Sequence, residues 1–294
     1  MVLPDFDYLA PKTLEEASNL LHELGENAMV IAGGCDTFPP MKQGAFSDCK
    51  YIIDLKHIPA LDKIEYDEKE GLKIGCFVKL FDIQTSDLVK EKNPSVAQAA
   101  KYIASTQVRN KGTLMGNICA AVPSCDGGPI LIAQNAKILV KGHDENRVVP
   151  ADQFFTGVKK TCLAWDEIAT HIVIPPLSED EHAAYIKFAT RKAMDLAIVG
   201  VAAWLKLDGD TVVDARIALG AVATTPILAP AAAECLIGKK LDDTAIETAS
   251  IAAMNSCRPI SDVRASAEYR KDMVRVFTKR AIRKAMEGYG GDHI

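Results

Sequence analysis

Three stretches of the 294-residue chain pair residue types with spacings that can do chemistry. The first is Val30, Ile31, Ala32, Gly33, Gly34, Cys35, Asp36 and Thr37, a short apolar run halted by two glycines. Glycine enters the left-handed backbone region freely and lets a ligand approach the main chain. Successive N–H groups in such a turn make a nest for an anion, pyrophosphate above all. A plain tight turn would carry the same residues, and the G-x-G-x-x-G dinucleotide fingerprint is missing. The second stretch runs from Arg109 to Asp126. In it Gly112 and Gly116 are interleaved with Thr113 and Asn117, whose side chains can donate to phosphate oxygens, beside the cations Arg109 and Lys111. A solvated polar loop has the same composition. The third, Lys187 to Asp195, is a strand ending in a charged bend with Lys187, Arg191, Lys192 and Asp195. It reads either as the lip of a cleft between domains or as a solvated surface turn.

Other chemistries are excluded. There is no P-loop lysine motif, no H-E-x-x-H and no G-x-S-x-G. The eight cysteines contain no C-x-x-C pair, and the six histidines lack ligand spacing, so no metal site is expected. The thiols read as reduced, small apolar residues. With 34 basic against 39 acidic residues the net charge is −5, which speaks against a nucleic-acid partner. The N-terminus lacks a basic segment leading into an apolar one. The longest uncharged run, Ile217 to Ala233, is too short for a membrane span and holds Pro226 and Pro230. A cytoplasmic protein is expected.

Behind these stretches lie the elements that must position them. Residues 13–24 predict a helix, with Thr13 and Glu16 as a capping box and Leu14, Ala17, Leu21 and Leu24 on one face. Strands are predicted at 29–32, 51–55 and 72–75, and helices at 80–89 and 95–104. From Ser105 to Pro129 periodicity is lost, and a long functional loop is expected. Strands follow at 136–140 and 170–174. Pro175, Pro176 and the charged run 178–182 suggest a boundary. Beyond it, strands at 184–189, 198–207 and 211–222, the last two joined by Asp208-Gly209-Asp210, predict an antiparallel sheet. Helices at 230–236, 243–256 and 266–286 close the chain. The stretch from Arg264 through this last helix to Lys284 carries eight basic residues against two acidic ones. It reads either as a solvated helix or as a docking surface for an acidic partner.

Taken in this order, the stretches resemble the FAD-binding, or medium, subunits of the molybdenum hydroxylases, the family of xanthine dehydrogenase and carbon monoxide dehydrogenase. The resemblance runs nearly the full length: FDYLAPKTLEEA at 6–17, AGGCDTFPPMKQG at 32–44, RNKGTLMGNICAAVPSCDGGPILIAQNA at 109–136 and YIKFATRKAMDLAIVGVAA at 185–203. It implies an α+β chain. A two-subdomain FAD-binding α/β domain of the PCMH type would span 1–176, with subdomains at about 1–57 and 58–176. A C-terminal domain of antiparallel sheet plus three-helix bundle would span 183–288.

The resemblance also implies FAD as cofactor. Residues 30–37 would surround its pyrophosphate, and Gly112, Thr113, Gly116 and Asn117 would form a second phosphate loop. Asp126 would reach the ribose or adenine side, Ile103 with Ile168 or Ala169 would contact the rings, and Lys187 would lie near the flavin. Cys35 stands where the family has threonine, and Met115 where it has glycine. The implied partners are a molybdopterin-binding large subunit, a [2Fe-2S] small subunit, and NAD+ or another electron acceptor. This chain would contribute the flavin stage of electron transfer, with no catalytic acid or base of its own. A self-sufficient FAD oxidoreductase on the same fold and a flavin-free scaffold subunit are the alternatives. The segment Ala193-Met194-Asp195 looks most like xanthine dehydrogenase subunits, which implies a purine or other N-heterocycle as the complex's substrate.

Overall fold

A computed structural model describes residues 3–191 and 193–287, so Lys192 and residue 288 lie outside the described residues. The strands Asp7–Leu9, Ala28–Ile31 and Tyr51–Asp54 form a parallel sheet with Tyr51–Asp54 in the middle. The helix Leu14–Leu24 carries the chain from one outer strand to the other, and residues 32–50 make the crossover that parallel neighbours need back to the middle strand. Thr13 caps this helix by accepting the Glu16 N–H. The Glu16 carboxylate accepts from Lys12 N–H instead of closing the box on Thr13. Ala17 and Leu21 are buried, while Leu14 and Leu24 are only half-buried.

The second sheet is antiparallel, in the order Ile64–Asp67, Gly71–Gly75, Ile168–Ile174, Lys137–Lys141, Asn146–Pro150. Parallel α/β character is therefore confined to the first sheet. Ile64–Asp67 escapes sequence reading because its alternation spans only four residues, and Asn146–Pro150 because Asn146 and Arg147 interrupt its apolar pattern. Helix 80–89 is really two, Leu80–Thr85 and Asp87–Lys92, because the Ser86 hydroxyl caps the second through Val89 N–H. The expected loop 105–129 holds three short helices, Thr106–Arg109, Leu114–Cys119 and Gly127–Ala133. Ser105 and Thr113 cap the first two. Each is too short to display a helical period.

The third sheet runs Glu181–Phe188, Val199–Asp208, Thr211–Gly220, Ile227–Leu228, all antiparallel. The charged run 178–182 is not purely a linker, since Glu181 opens the first strand opposite Lys206. Both faces of this sheet are covered. Tyr185, Ala202 and Ala218 join the core of the preceding sheet and helices. Their neighbours Ala184, Val201, Ala203, Ile217 and Leu219 pack with residues of Pro230–Glu234, Asp243–Ser256 and Ala267–Glu287. That alternation is the two-residue period of a strand.

The basic C-terminal helix spends several of its cations within the protein. Arg275 and Lys279 both pair with Glu247, and Arg283 pairs with Asp243 at 2.8 Å. Arg270 is buried and donates to the Ile198 and Ala221 carbonyls and to Asp262. Much of the basic stripe is thus engaged within the protein, by acids on the adjacent helix that a count along one helix does not see. Among the described residues no helix is long and apolar enough to cross a membrane.

Candidate functional site

The strand Ala28–Ile31 delivers the chain into the diglycine turn. Thr37 and Phe38 N–H close that turn on the Gly34 carbonyl, and the helix Phe38–Met41 follows, although none was evident from the sequence. Gly34 sits at φ +68°, and a Cβ there would come within 2.6 Å of the Phe38 ring. Gly33 has a different constraint. A Cβ on it would lie 2.1 Å from the Lys111 carbonyl oxygen and 2.8 Å from Gly112 Cα. The first two chemical stretches therefore meet backbone to backbone. The Cys35 thiol bridges the same join, 3.7 Å from the Gly33 carbonyl and 4.0 Å from that of Val108. Burial pushes the Cys35 thiol up, and neighbouring Asp36 adds to this. Burial also raises the Asp36 carboxyl. Among the described residues, the N–H groups of residues 33–36 donate no hydrogen bond to the loops and turns around them.

The second loop uses its groups differently. Gly112 N–H donates to the Val108 carbonyl, Asn117 N–H to the Thr113 carbonyl, and Gly116 N–H to the Thr113 hydroxyl oxygen at 2.9 Å. Asn117 Oδ1 accepts from Gly127 N–H at 3.0 Å and from the Cys125 thiol at 3.1 Å. What this loop retains for a ligand is the Thr113 hydroxyl hydrogen, the Asn117 amide NH2 and the N–H groups of Thr113 and Met115, which donate to none of the loops and turns around them. Met115 lies buried within the helix Leu114–Cys119 and does not adopt positive φ, so it does not crowd the turn. Arg109 is no phosphate cation. It folds inward and donates to the Ile103 and Ala104 carbonyls and the Thr106 hydroxyl.

Asp126 and Lys187 come together, which no sequence spacing predicts. Lys187 Nζ lies 2.8 Å from Asp126 Oδ2 and 3.1 Å from the Tyr102 carbonyl oxygen, and both charged side chains are buried. The Tyr185 hydroxyl donates to Asp126 Oδ1 at 2.7 Å. Burial raises the Asp126 carboxyl, while Lys187 and the Tyr185 hydrogen bond pull it back. Ile103 follows Tyr102 at the end of the helix Pro94–Tyr102 and so lies beside this pair. Ile168 and Ala169 are buried in the core, on a strand that packs against the helix Leu114–Cys119. Arg191 and Asp195, by contrast, form an ordinary surface turn. Asp195 accepts from the Thr190 hydroxyl and from Arg191 and Leu196 N–H, which holds its carboxyl down at about 2.

Sequence reasoning missed Tyr185 and the Tyr102 carbonyl. The signal for Tyr185 was available, since a strand puts residues two apart on one face and Lys187 was already marked. A groove of about 270 Å³ lined by Leu14, Val140, Lys141, Arg147 and Val148, among others, lies elsewhere and includes no glycine-loop residue.

Comparison with known proteins gives two family matches. Residues 4–177 match the FAD binding domain in molybdopterin dehydrogenase, and residues 184–285 match the CO dehydrogenase flavoprotein C-terminal domain. The chain is 36% identical to the carbon monoxide dehydrogenase medium chain of Hydrogenophaga pseudoflava, over 97% of this chain and 98% of that one. It is 31% identical to a putative xanthine dehydrogenase FAD-binding subunit of Escherichia coli K12, over 97% of each. The solved carbon monoxide dehydrogenase from Hydrogenophaga pseudoflava superimposes with a TM-score of 0.93, covering 98% of this chain and 99% of that one.

Proposed function

Because the chain belongs to the FAD-binding medium subunits of the molybdenum hydroxylases, we propose that its two glycine stretches form the cradle for FAD pyrophosphate. The observation that carries this is the join at Gly33. Only a residue without Cβ lets the turn rest against Lys111 and Gly112, and it does so with the N–H groups of residues 33–36 unspent. These N–H groups bind the phosphate oxygens, and the Thr113 hydroxyl and Asn117 amide add side-chain donors. Ile103, Ile168 and Ala169 provide apolar surface for the rings. Asp126 and Lys187, being 2.8 Å apart, serve the same part of the cofactor, which we take to be the flavin end expected of Lys187 in place of the ribose or adenine side expected of Asp126. The bound FAD supplies the redox chemistry, accepting electrons singly and releasing them in pairs. The residues of this chain bind and orient it, and none acts as acid or base.

The working assembly comprises a molybdopterin-binding large subunit and a [2Fe-2S] small subunit, with NAD+ or another acceptor. The word "medium" in its relatives' names supports three-part complexes. Two functional units, 1–176 and 183–288, are supported by the separate family matches. Eight free thiols suit the reducing cytoplasm. For the complex's substrate, the segment Ala193-Met194-Asp195 supports xanthine or another N-heterocycle, and the 36% identical relative supports carbon monoxide.

The test is to purify the complex from its source, record its absorption spectrum, and assay it with xanthine and with carbon monoxide, using NAD+ and an artificial dye as acceptors. One FAD per copy of this chain is expected. A folded chain without flavin bands would overturn the reading and return it to a scaffold. A stable flavoprotein monomer without molybdenum or iron–sulfur partners would remove the assembly.

A further inference from the structure

The Asp126–Lys187 pair has a third member that the flavin reading does not use. Tyr185 is fully buried, and its hydroxyl hydrogen goes to Asp126 Oδ1 while Lys187 takes Oδ2. The strand opposite is shaped to admit that hydroxyl. A Cβ on Gly200 would stand 2.7 Å from the Tyr185 oxygen. The tyrosine ring is held edge-on against Tyr102, whose carbonyl accepts from Lys187. One carboxylate is thus gripped from two sides by residues of a single strand, Glu181–Phe188, that comes from the C-terminal unit.

We propose that Tyr185 is a positioning residue for the cofactor: its hydroxyl fixes the Asp126 carboxylate so that Lys187 is held at the flavin end. This rests on the FAD reading above. A buried carboxylate is costly to keep ionised, and each hydrogen bond to its charged form offsets that cost. Lys187 has three ammonium hydrogens, two of which go to Asp126 and to Tyr102. The third remains for a ligand, provided Asp126 stays ionised and fixed. If Asp126 takes up a proton, its attraction for Lys187 is lost. The other ionisable groups around the carboxylate do not replace the hydroxyl. Tyr102 offers only its carbonyl to the pair, and the buried Cys125 thiol, pushed up to about 12, stays neutral. Asp36, whose field reaches Cys125, adds only negative charge nearby.

The experiment compares FAD binding by the purified complex at pH 8 and pH 6 in the parent and in Tyr185→Phe, Asp126→Asn and Lys187→Met. Apoprotein is titrated with FAD and read by quenching of flavin fluorescence. Removing the hydroxyl raises the Asp126 carboxyl further, so its charge is lost as pH falls. Tyr185→Phe is therefore expected to bind near parent affinity at pH 8 and about ten-fold more weakly at pH 6, the scale of one hydrogen bond to a charged group. The parent is expected to change little between the two. A packing role alone would lower affinity equally at both. Parent-like binding by Tyr185→Phe at both pH values, or a pH-independent loss, overturns the proposal. If Asp126→Asn and Lys187→Met also keep parent affinity, the assignment of the pair to the FAD site fails as well, a separate outcome. Gly200→Ala, which displaces the hydroxyl without deleting it, should reproduce the pH 6 loss. It serves as the deciding variant if Tyr185→Phe does not fold.

Discussion

Two glycine-bearing loops meet at the site, and they are built on opposite plans. In the turn at 33–36 the glycines are there for space and conformation, one against a neighbouring backbone and one at positive φ, and the N–H groups are left over. In the loop at 112–117 the N–H groups of Gly112, Gly116 and Asn117 are consumed inside the loop, which leaves those of Thr113 and Met115 beside the Thr113 and Asn117 side chains. Similar composition thus hides a turn with its main-chain donors unspent in one case and a partly self-capped loop in the other. The second loop holds the first in place, because the Gly33 backbone rests on Lys111 and Gly112.

The sharpest way to break this contrast is Gly33→Ala. Its Cβ meets backbone that cannot swing aside, so a loss of about 3 kcal/mol of stability is expected, the upper range for overpacking, together with loss of bound flavin. Thermal melting and FAD content check it, and a yellow protein of parent stability would mean the loops do not abut. Gly34→Val comes next. Positive φ costs a β-branched residue roughly 1–2 kcal/mol, and Phe38 must also shift. The chain should fold but purify colourless, and full flavin retention would remove the nest. In the second loop Asn117→Ala strips Gly127 N–H of its acceptor, at a cost of about 1–3 kcal/mol. Denaturant unfolding should register that loss even without FAD, as expected of a scaffold. The smallest effect belongs to Cys35→Thr. If the main chain of the first turn does the binding, the added hydroxyl should leave FAD affinity unchanged or tighten it by about 0.5–1.5 kcal/mol. A large loss on titration would show that the thiol itself matters.

The sequence singles out two glycine stretches of the candidate site that the structure brings together. Gly33, Gly34, Gly112 and Asn117 stand out by type and spacing, and the long motifs carried FAD with them. What remained hidden was pairing between distant residues. Nothing in the pattern around Lys111 says that its carbonyl is the floor under Gly33. Nor does the pattern turn Arg109 inward, because a cation beside a glycine loop looks like a phosphate ligand until its carbonyl partners are known. The same blindness hid the acids Glu247 and Asp243 on the adjacent helix, which pair with Lys279 and Arg283 of the C-terminal helix. Of the fold, the long strands and helices were legible from their periods. The short capped helices between 105 and 129 were not, since a single turn has no period to show.

The helix Gly127–Ala133 has a consequence of its own. All seven of its residues are buried. Asp126, just ahead of it, is held by Tyr185 and Lys187, and the Ile132 carbonyl near its end accepts from Arg216. Arg216 is made 84 residues after Ile132. At ribosomal rates of about 5–20 residues per second, this apolar helix emerges roughly 4–17 s before its last clamp exists. During that interval it is an aggregation hazard in the nascent chain. The native cradle, which Asn117 ties to Gly127, is complete only when the C-terminal sheet has been synthesised.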